Sequence, residues 1–145
     1  MFKNILIPVD GSPTALLAID KGVVIAEAFN STVTLIHVID PYAFSGLGVD
    51  FSYGQAEYLE SATREGHAAI ALARQAFEAR SIPVNGSVVE GNAIYQAILD
   101  AAELVDADLV VMGSHGRRGL EKLVLGSVTA QVLSHAHLCV LVVRE

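Results

Sequence analysis

A short run of glycines near the C-terminal end of the chain has the spacing of a phosphate-binding loop. It reads Gly113-Ser-His-Gly116, followed by nine residues and then Gly126-Ser127. An apolar stretch, 108–112, precedes it and predicts a buried strand, and residues 127–133 after it predict a helix. Glycine lets backbone N–H groups approach an anion closely, and a helix start adds unpaired N–H donors and a positive dipole end. The pattern therefore predicts a phosphate site.

Positive charge is concentrated in the same loop, although the chain as a whole is acidic. The net charge of -7 argues against general nucleic-acid binding. Three of the nine Lys and Arg residues, Arg117, Arg118 and Lys122, nevertheless lie between Gly116 and Gly126. A bound anion would account for this placement. The alternative is that these side chains are solvated, and we do not assign them to the core of the site.

Composition indicates one well-packed domain that spans residues 1–145. Apolar residues make up 52% of the chain and charged residues 17%. No apolar run reaches the ~18 residues that a membrane span needs, and the N-terminus lacks the features of a signal peptide. Cys139, the single cysteine, cannot form an internal disulfide and falls in a predicted strand. We therefore expect a cytoplasmic protein without membrane insertion, with Cys139 in the core or at an interface.

Strand-like and helix-like segments alternate along the chain. The predicted strands are 2–9, 32–39, 83–89, 108–112 and 138–143, and the predicted helices are 13–29, 55–80, one capped by Asn92, and 127–135. Such alternation favours a doubly wound, five-stranded parallel sheet with helices on both faces. Residues 40–54 are predicted to form a long connection of the kind that often serves as a lid.

Helix starts and inward faces follow from local chemistry. Ser12 and Pro13 fit the cap and first position of helix one. The predicted inward residues of helix one are Leu16, Leu17, Ile19, Val23, Val24 and Ala26. Those of helix two are Leu59, Ala62, Gly66, Ile70, Ala73 and Phe77, and those of helix three are Ile94, Ala97, Ile98 and Ala101. Pro83 at the start of strand three suggests an edge position.

The strand order 3-2-1-4-5 would bring two chemically different groups to one crevice. In open α/β sheets, ligands bind beyond the carboxyl ends of the strands where the winding reverses, here between strands one and four. Asp10 follows strand one and Gly113 follows strand four. A carboxylate beside a phosphate loop suits a nucleotide. The alternative for Asp10 is a turn residue that only helps to start the helix.

At these positions the chain resembles the universal stress protein family, in its ATP-binding subgroup. The resemblance covers essentially the whole chain. It is carried by 8–12, 37–40, Gly91, 107–116 and 126–129, and by the complete signature Gly-x2-Gly-x9-Gly-Ser. It implies an adenine-nucleotide alpha-hydrolase-like fold with the strand order 3-2-1-4-5.

The resemblance also implies roles for individual residues of this chain. Asp10 would meet the ribose or the adenine edge, Val38 would offer its backbone to adenine, and Pro8 would line that end. The residues implied at the ribose and the phosphates are Met112, Gly113, His115, Gly116, Gly126, Ser127 and Val128. Two of these have alternatives: His115 as a solvent-facing loop residue, and Ser127 as a helix N-cap.

The remaining histidines favour structural interpretations. His135 and His137 could suggest a metal, but no nearby Cys or carboxylate set completes a tetrahedral site, so a role at the helix end is preferred. His37 is predicted to be packed or near the adenine end, and His67 to be exposed.

The function expected from these observations is an ATP-dependent regulatory switch. No GxxxxGK[ST] motif occurs and no general base is identifiable, so hydrolysis is expected to be slow or absent. Mg²⁺ would be held by Asp10 or the phosphates, mainly through water. The resemblance implies a homodimer through the last strand, from Leu138 to Val143, and we expect the switch to control a protein partner such as a transporter.

Two other function classes stay open at this point. One is an enzyme, either a slow Mg²⁺-dependent ATPase or an adenylate-transferring protein. The other is a dimeric interaction module without bound nucleotide, which the intact glycine pattern disfavours.

Overall fold

The computed structural model describes residues 1–41, 51–115 and 125–145, and for 51–53 only the backbone. They form a five-stranded sheet in the order β3-β2-β1-β4-β5, in which every neighbouring pair is parallel. This confirms the predicted order and the edge position of β3. The elements are β1 (Asn4–Pro8), α1 (Pro13–Phe29), β2 (Thr32–Ile39), α2 (Phe51–Glu78), β3 (Val84–Glu90), α3 (Ile94–Leu104), β4 (Leu109–Gly113), α4 (Ser127–His135) and β5 (Cys139–Val143).

Successive side chains of each strand point to opposite faces, so the sheet has two cores. On one face, α1 and α2 cover strand residues that include Ile5, Ile7 and Leu35. On the other face, α3 and α4 cover Leu6 and Val110. The predicted helices on both faces are therefore confirmed, and the sheet is screened from water where its strands are most apolar.

Local signals place the ends of α1 correctly. Ser12 is the N-cap, and its hydroxyl accepts a hydrogen bond from the backbone N–H of Ala15. Pro13 begins the helix, where a missing N–H has no cost. Asn30 ends it in the left-handed conformation, with φ of 53°.

Some predicted inward positions of α1 and α3 are wrong. Leu16 and Val24 are 48% and 64% exposed, because α1 meets the sheet through a narrower stripe that includes Ala18, Gly22 and Ala26. Ile94, at the first position of α3, is 37% exposed, whereas Ile98 one turn later is buried. Small residues let α1 approach the sheet closely, so its larger flanking side chains lie outside the contact.

Two predicted helix starts also differ from the structure. Ala93 is the N-cap residue of α3 and makes no side-chain cap bond, so the predicted cap at Asn92 is wrong. Helix α2 begins at Phe51 rather than at Gln55, and Gly54 lies inside it although glycine disfavours helices. Of the predicted connection 40–54, residues 42–50 lie outside the described part. The inward stripe of α2 is confirmed, with Ile70, Ala73 and Phe77 buried.

No helix in the described segments is long and apolar enough to cross a membrane.

Among the described residues, Phe77 is the largest fully buried side chain. Its truncation tests how α2 packs on the sheet. We expect Phe77→Ala to lower the free energy of unfolding by about 3–5 kcal/mol, because it leaves a cavity under α2. Urea unfolding measures the change. The control is Leu72→Ala on the same helix, where the side chain is 63% exposed and the expected change is within about 0.5 kcal/mol. Similar losses for the two variants would contradict the assigned packing.

Candidate functional site

The sheet opens between β1 and β4 at the carboxyl ends of these strands. Their pairing is confined to Ile5↔Leu109 and Leu6↔Val110. By contrast, β1 stays paired with β2 to Pro8↔Ile36, and β4 with β5 to Gly113↔Val143. Since β1 and β4 are the central strands at which the winding reverses, the gap between them lies where ligands bind in sheets of this kind.

The β1 side of the gap carries a tight turn with a carboxylate. Oδ1 of Asp10 accepts a hydrogen bond of 2.8 Å from the backbone N–H of Ser12. Gly11 between them has φ of 79°, which favours glycine. Within the described part of the chain, Oδ2 of Asp10 has no hydrogen-bond partner, so the half-buried carboxylate keeps acceptor capacity. The turn interpretation of Asp10 is thus correct, and it leaves room for a binding role as well.

The β4 side of the gap is held by a close contact with α1. A Cβ atom at Gly113 would lie 2.8 Å from the backbone carbonyl carbon of Thr14 and as close to the Cβ atom of Thr14. Thr14 is fully buried, and its hydroxyl donates to the carbonyl oxygen of His115. The hydroxyl of Thr129, from α4, donates to the carbonyl oxygen of Gly113 at 2.9 Å. Helices from both faces of the sheet therefore fix the end of β4.

Sequence reasoning missed Thr14 and Thr129. Each lies in the first turn of a helix and is buried although it is polar. The available signal was a threonine in the first turn of each helix that follows one of the two central strands, since a hydroxyl there can satisfy a nearby carbonyl group.

Within the described residues, helix α4 begins without a side-chain cap. Gly126 is the N-cap residue and makes no side-chain cap bond, so the alternative of Ser127 as N-cap is wrong. The Gly126 N–H itself donates to the carbonyl oxygen of Ser114 at 2.8 Å. A Cβ at Gly126 would lie 3.0 Å from Cα of His115, so the residue preceding α4 lies directly against the end of β4.

This helix start has the donor set that an anion requires. The first N–H groups of an α-helix have no intrahelical partner, and the helix dipole is positive there. Ser127 is exposed and adds a hydroxyl group, and Val128 is half-buried. The N-terminus of α1, by contrast, is capped by Ser12. The residues present therefore fit a phosphate group at α4, and the uncapped start is the chemical reason.

The structure brings most of the predicted residues to one edge of the sheet. These residues are Pro8, Asp10, Val38, Met112, Gly113, His115, Gly126, Ser127 and Val128. His115 is half-buried, and its Nδ1 lies 3.2 Å from the hydroxyl oxygen of Ser114. Gly116, with Arg117, Arg118, Gly119 and Lys122, lies outside the described residues. The ligand contacts assigned to these positions stay predictions.

The other histidines lie away from this edge or inside the core. His135 packs on Tyr95, with ring centroids 4.9 Å apart, and its Nδ1 donates to the carbonyl oxygen of Gln131. Among the described residues, no group of three metal-ligating side chains is placed to hold an ion. His37 is buried and His67 is exposed, as predicted. Cys139 is exposed, so of its two predicted placements the core is wrong, and the interface stays a prediction.

The sequence itself matches a known family over residues 1–144, the universal stress protein family. The chain belongs to the universal stress protein family. Universal stress protein MJ0531 of Methanocaldococcus jannaschii is 35% identical over 145 residues, which cover 100% of this chain and 84% of that protein.

Solved structures of universal stress proteins share the fold along the whole chain. MJ0577, a universal stress protein of the same organism, has a TM-score of 0.84 at 30% identity, and the match covers 100% of this chain and 97% of that one. A universal stress protein in complex with cAMP has a TM-score of 0.67 at 26% identity, covering 99% of this chain and 97% of that one.

The contact between Gly113 and Thr14 can be tested by adding one methyl group. We expect Gly113→Ala to lower the free energy of unfolding by about 1–3 kcal/mol, because the added Cβ meets the backbone of α1, which cannot shift alone. Chemical unfolding measures the effect. The control is Ser127→Ala, at an exposed position without a cap bond, where the change should stay within about 0.5 kcal/mol. An unchanged stability of Gly113→Ala would show that the helix and the strand are not in tight contact.

Proposed function

We propose that this universal stress protein binds ATP in the gap between β1 and β4 and acts as a nucleotide-dependent switch. One observation carries the proposal. The gap has a carboxylate with free acceptor capacity on one side, at Asp10, and the uncapped start of α4 on the other. A nucleotide needs acceptors for its sugar hydroxyl groups and donors for its phosphates, and the two must be separate because a carboxylate repels phosphate.

The proposed orientation follows from this separation of charge. Pro8 and Val38 lie at the carboxyl ends of β1 and β2 and would meet the base. Asp10, Met112 and Gly113 would meet the ribose and the first phosphate. The residues assigned to the remaining phosphates are His115, Gly116, Gly126, Ser127 and Val128. The relative solved in complex with cAMP supports an adenine nucleotide as the ligand class.

Binding without fast hydrolysis is the form of this function that the described residues favour. At the start of α4 the chain offers N–H and hydroxyl donors, and Asp10 lies across the gap from them. Rapid hydrolysis also needs a group that orients or deprotonates a water molecule opposite the last phosphate, and the sequence identifies no such general base. Mg²⁺, when bound, would be held mainly by the phosphates and by water and would neutralise part of the phosphate charge.

The switch would act through a homodimer at β5. This strand is the outer strand of the sheet beside β4, and Leu141 and Cys139 on it are exposed. An exposed apolar edge strand is normally covered, and pairing with a second copy about a two-fold axis would cover it. Only residues 136–138 separate α4 from β5. A ligand that orders the start of α4 would therefore act on the segment next to the dimer edge, where a protein partner could detect the change.

The backbone donor of Ser127 provides the sharpest test of the phosphate assignment. Ser127 is the first residue of α4, where proline is tolerated, and the ψ of Gly126 is 156°, as a residue before proline requires. Ser127→Pro removes the N–H and the hydroxyl, whereas Ser127→Ala removes only the hydroxyl. We expect calorimetric titration to show ATP affinity about tenfold to a hundredfold lower for Ser127→Pro, with a smaller loss for Ser127→Ala.

Equal losses for the two Ser127 variants would assign the contact to the hydroxyl rather than to the helix start. Tight binding of ATP to both variants would exclude the phosphate assignment at α4. A far-ultraviolet circular dichroism spectrum like that of the wild type shows that the helix is retained.

Substitution of Asp10 separates the sugar end of the site from the phosphate end. We expect Asp10→Ala to lower ATP affinity about tenfold, because the ribose loses a charged acceptor. Binding of tripolyphosphate should be unchanged or tighter, since a repelling charge has been removed. Asp20→Ala, an exposed carboxylate on α1, is the control and should change neither affinity. A parallel loss for both ligands would place Asp10 at the phosphates or at Mg²⁺.

A further inference from the structure

The imidazole ring of His37 makes a hydrogen bond that a backbone group would otherwise make in the sheet. Its Nδ1 lies 2.7 Å from the carbonyl oxygen of Val9, and the side chain is buried. A carbonyl oxygen only accepts hydrogen bonds, so Nδ1 carries the proton and donates. The N–H of Val9 in turn donates to the carbonyl oxygen of Ile36 at 2.7 Å. Both peptide groups of Val9, immediately before Asp10, are thus bound to β2.

If the parallel pairing of β1 with β2 continued past Pro8, a backbone N–H of β2 would donate to the Val9 carbonyl oxygen. The even-numbered residues of β2 direct their backbone groups to β1, since the N–H of Thr32 donates to Lys3 and the carbonyl of Ile36 accepts from Val9. The odd-numbered residue Ile39 faces β3, because its carbonyl accepts from Gly91. The next residue on the β1 side is Val38, whose N–H would donate to the carbonyl of Val9.

That ladder bond is replaced by the side chain of His37. Within the described residues, neither the N–H nor the carbonyl of Val38 has a backbone partner on the β1 side, because the last paired residues are Pro8 and Ile36. Val38 is half-buried at the carboxyl end of β2. Its two peptide groups therefore form an adjacent donor and acceptor that face the space beyond the end of β1.

Helix α2 leaves the room that the imidazole ring requires. A Cβ atom at Gly66 would lie 2.6 Å from Cδ2 of His37 and 3.0 Å from its Cγ. The ring is therefore confined between α2 and the sheet. A glycine at this point of α2 lets the ring stay at the level of the Val9 carbonyl.

We infer that His37 is a positioning residue: by holding the Val9 carbonyl, it keeps the peptide groups of Val38 free to pair with the edge of a purine base. The inference rests on the proposed nucleotide site. The base edge that fits is adenine, which presents an amino donor beside a ring-nitrogen acceptor. With the ribose held at Asp10, as proposed, guanine presents its carbonyl acceptor and ring N–H in the reverse order. His37 thereby contributes to base selectivity without contacting the nucleotide.

Amide hydrogen exchange tests the arrangement in the nucleotide-free protein. The variants are His37→Leu, which cannot donate, and His37→Asn, whose side-chain amide can donate from nearly the same position as Nδ1. We expect the Val38 amide to exchange freely in the wild type and in His37→Asn. In His37→Leu the Val38 amide should exchange at least about tenfold more slowly, because its N–H then donates a hydrogen bond to the Val9 carbonyl oxygen. A protected Val38 amide in the wild type would overturn the inference.

Nucleotide titration tests the consequence for binding. We expect His37→Leu to bind ATP about tenfold more weakly and to lose its preference for ATP over GTP, with tripolyphosphate binding unchanged. His37→Asn should restore both the affinity and the preference. The matched control is His67→Leu, at an exposed histidine of α2, which should behave as the wild type. Unchanged selectivity in His37→Leu, or equal behaviour of the Leu and Asn variants, would overturn the assigned role.

A second variant covers the case in which His37→Leu does not fold. Gly66→Ala places a methyl group against the His37 ring and should shift exchange at Val38 and ATP selectivity in the same direction, by a smaller factor. Wild-type protein that binds no adenine nucleotide would overturn the proposed function and the recognition role together. The hold of His37 on the Val9 carbonyl is then decided by the exchange of Val38 alone, so the two failures are distinguishable.

Discussion

The contact of Thr14 with Gly113 is the constraint on which the candidate site depends. It brings the first turn of α1 against the last residue of β4, with no room for a side chain between them. Because α1 also follows β1 through the Asp10 turn, the same helix fixes the ends of both central strands. The gap between β1 and β4 is thus bounded by buried packing and by the hydrogen bonds of the Thr14 and Thr129 hydroxyl groups.

Because of this close contact, the glycines of the motif have a structural role as well as a proposed binding role. By its chemistry alone, each glycine of the signature allows backbone to approach an anion. In the structure, Gly113 admits Thr14, and Gly126 admits the backbone of His115. At least these two glycines serve the assembly of strand and helix ends, and the N–H donors are supplied by the residues that follow Gly126. The motif therefore specifies how these strand and helix ends are assembled.

The sequence was sufficient to predict the strand order and the edge at which the site lies. The doubly wound parallel sheet follows from the alternation of apolar strands with amphipathic helices and from the rule of right-handed crossovers. The specific strand order, and with it the edge at which the site lies, came from the resemblance to the family. The sequence was insufficient where burial of a side chain depends on how closely a helix approaches the sheet. Val24 is apolar and helical but exposed, because α1 meets the sheet through its smallest residues. The role of His37 at the Val9 carbonyl was equally invisible, since it depends on where β1 stops and on the space above Gly66.

The short link between α4 and β5 has a thermodynamic consequence. Residues 136–138 connect the helix whose start faces the gap to the exposed edge strand. Under the proposed function, this link would couple the free energy of ligand binding to that of assembly at β5. Such coupling is reciprocal, so assembly would strengthen ligand binding by the same factor by which the ligand strengthens assembly. Apparent nucleotide affinity would then depend on protein concentration by mass action. Under the proposed function, a cell that produced more of this chain would thereby also sensitise each copy to the nucleotide.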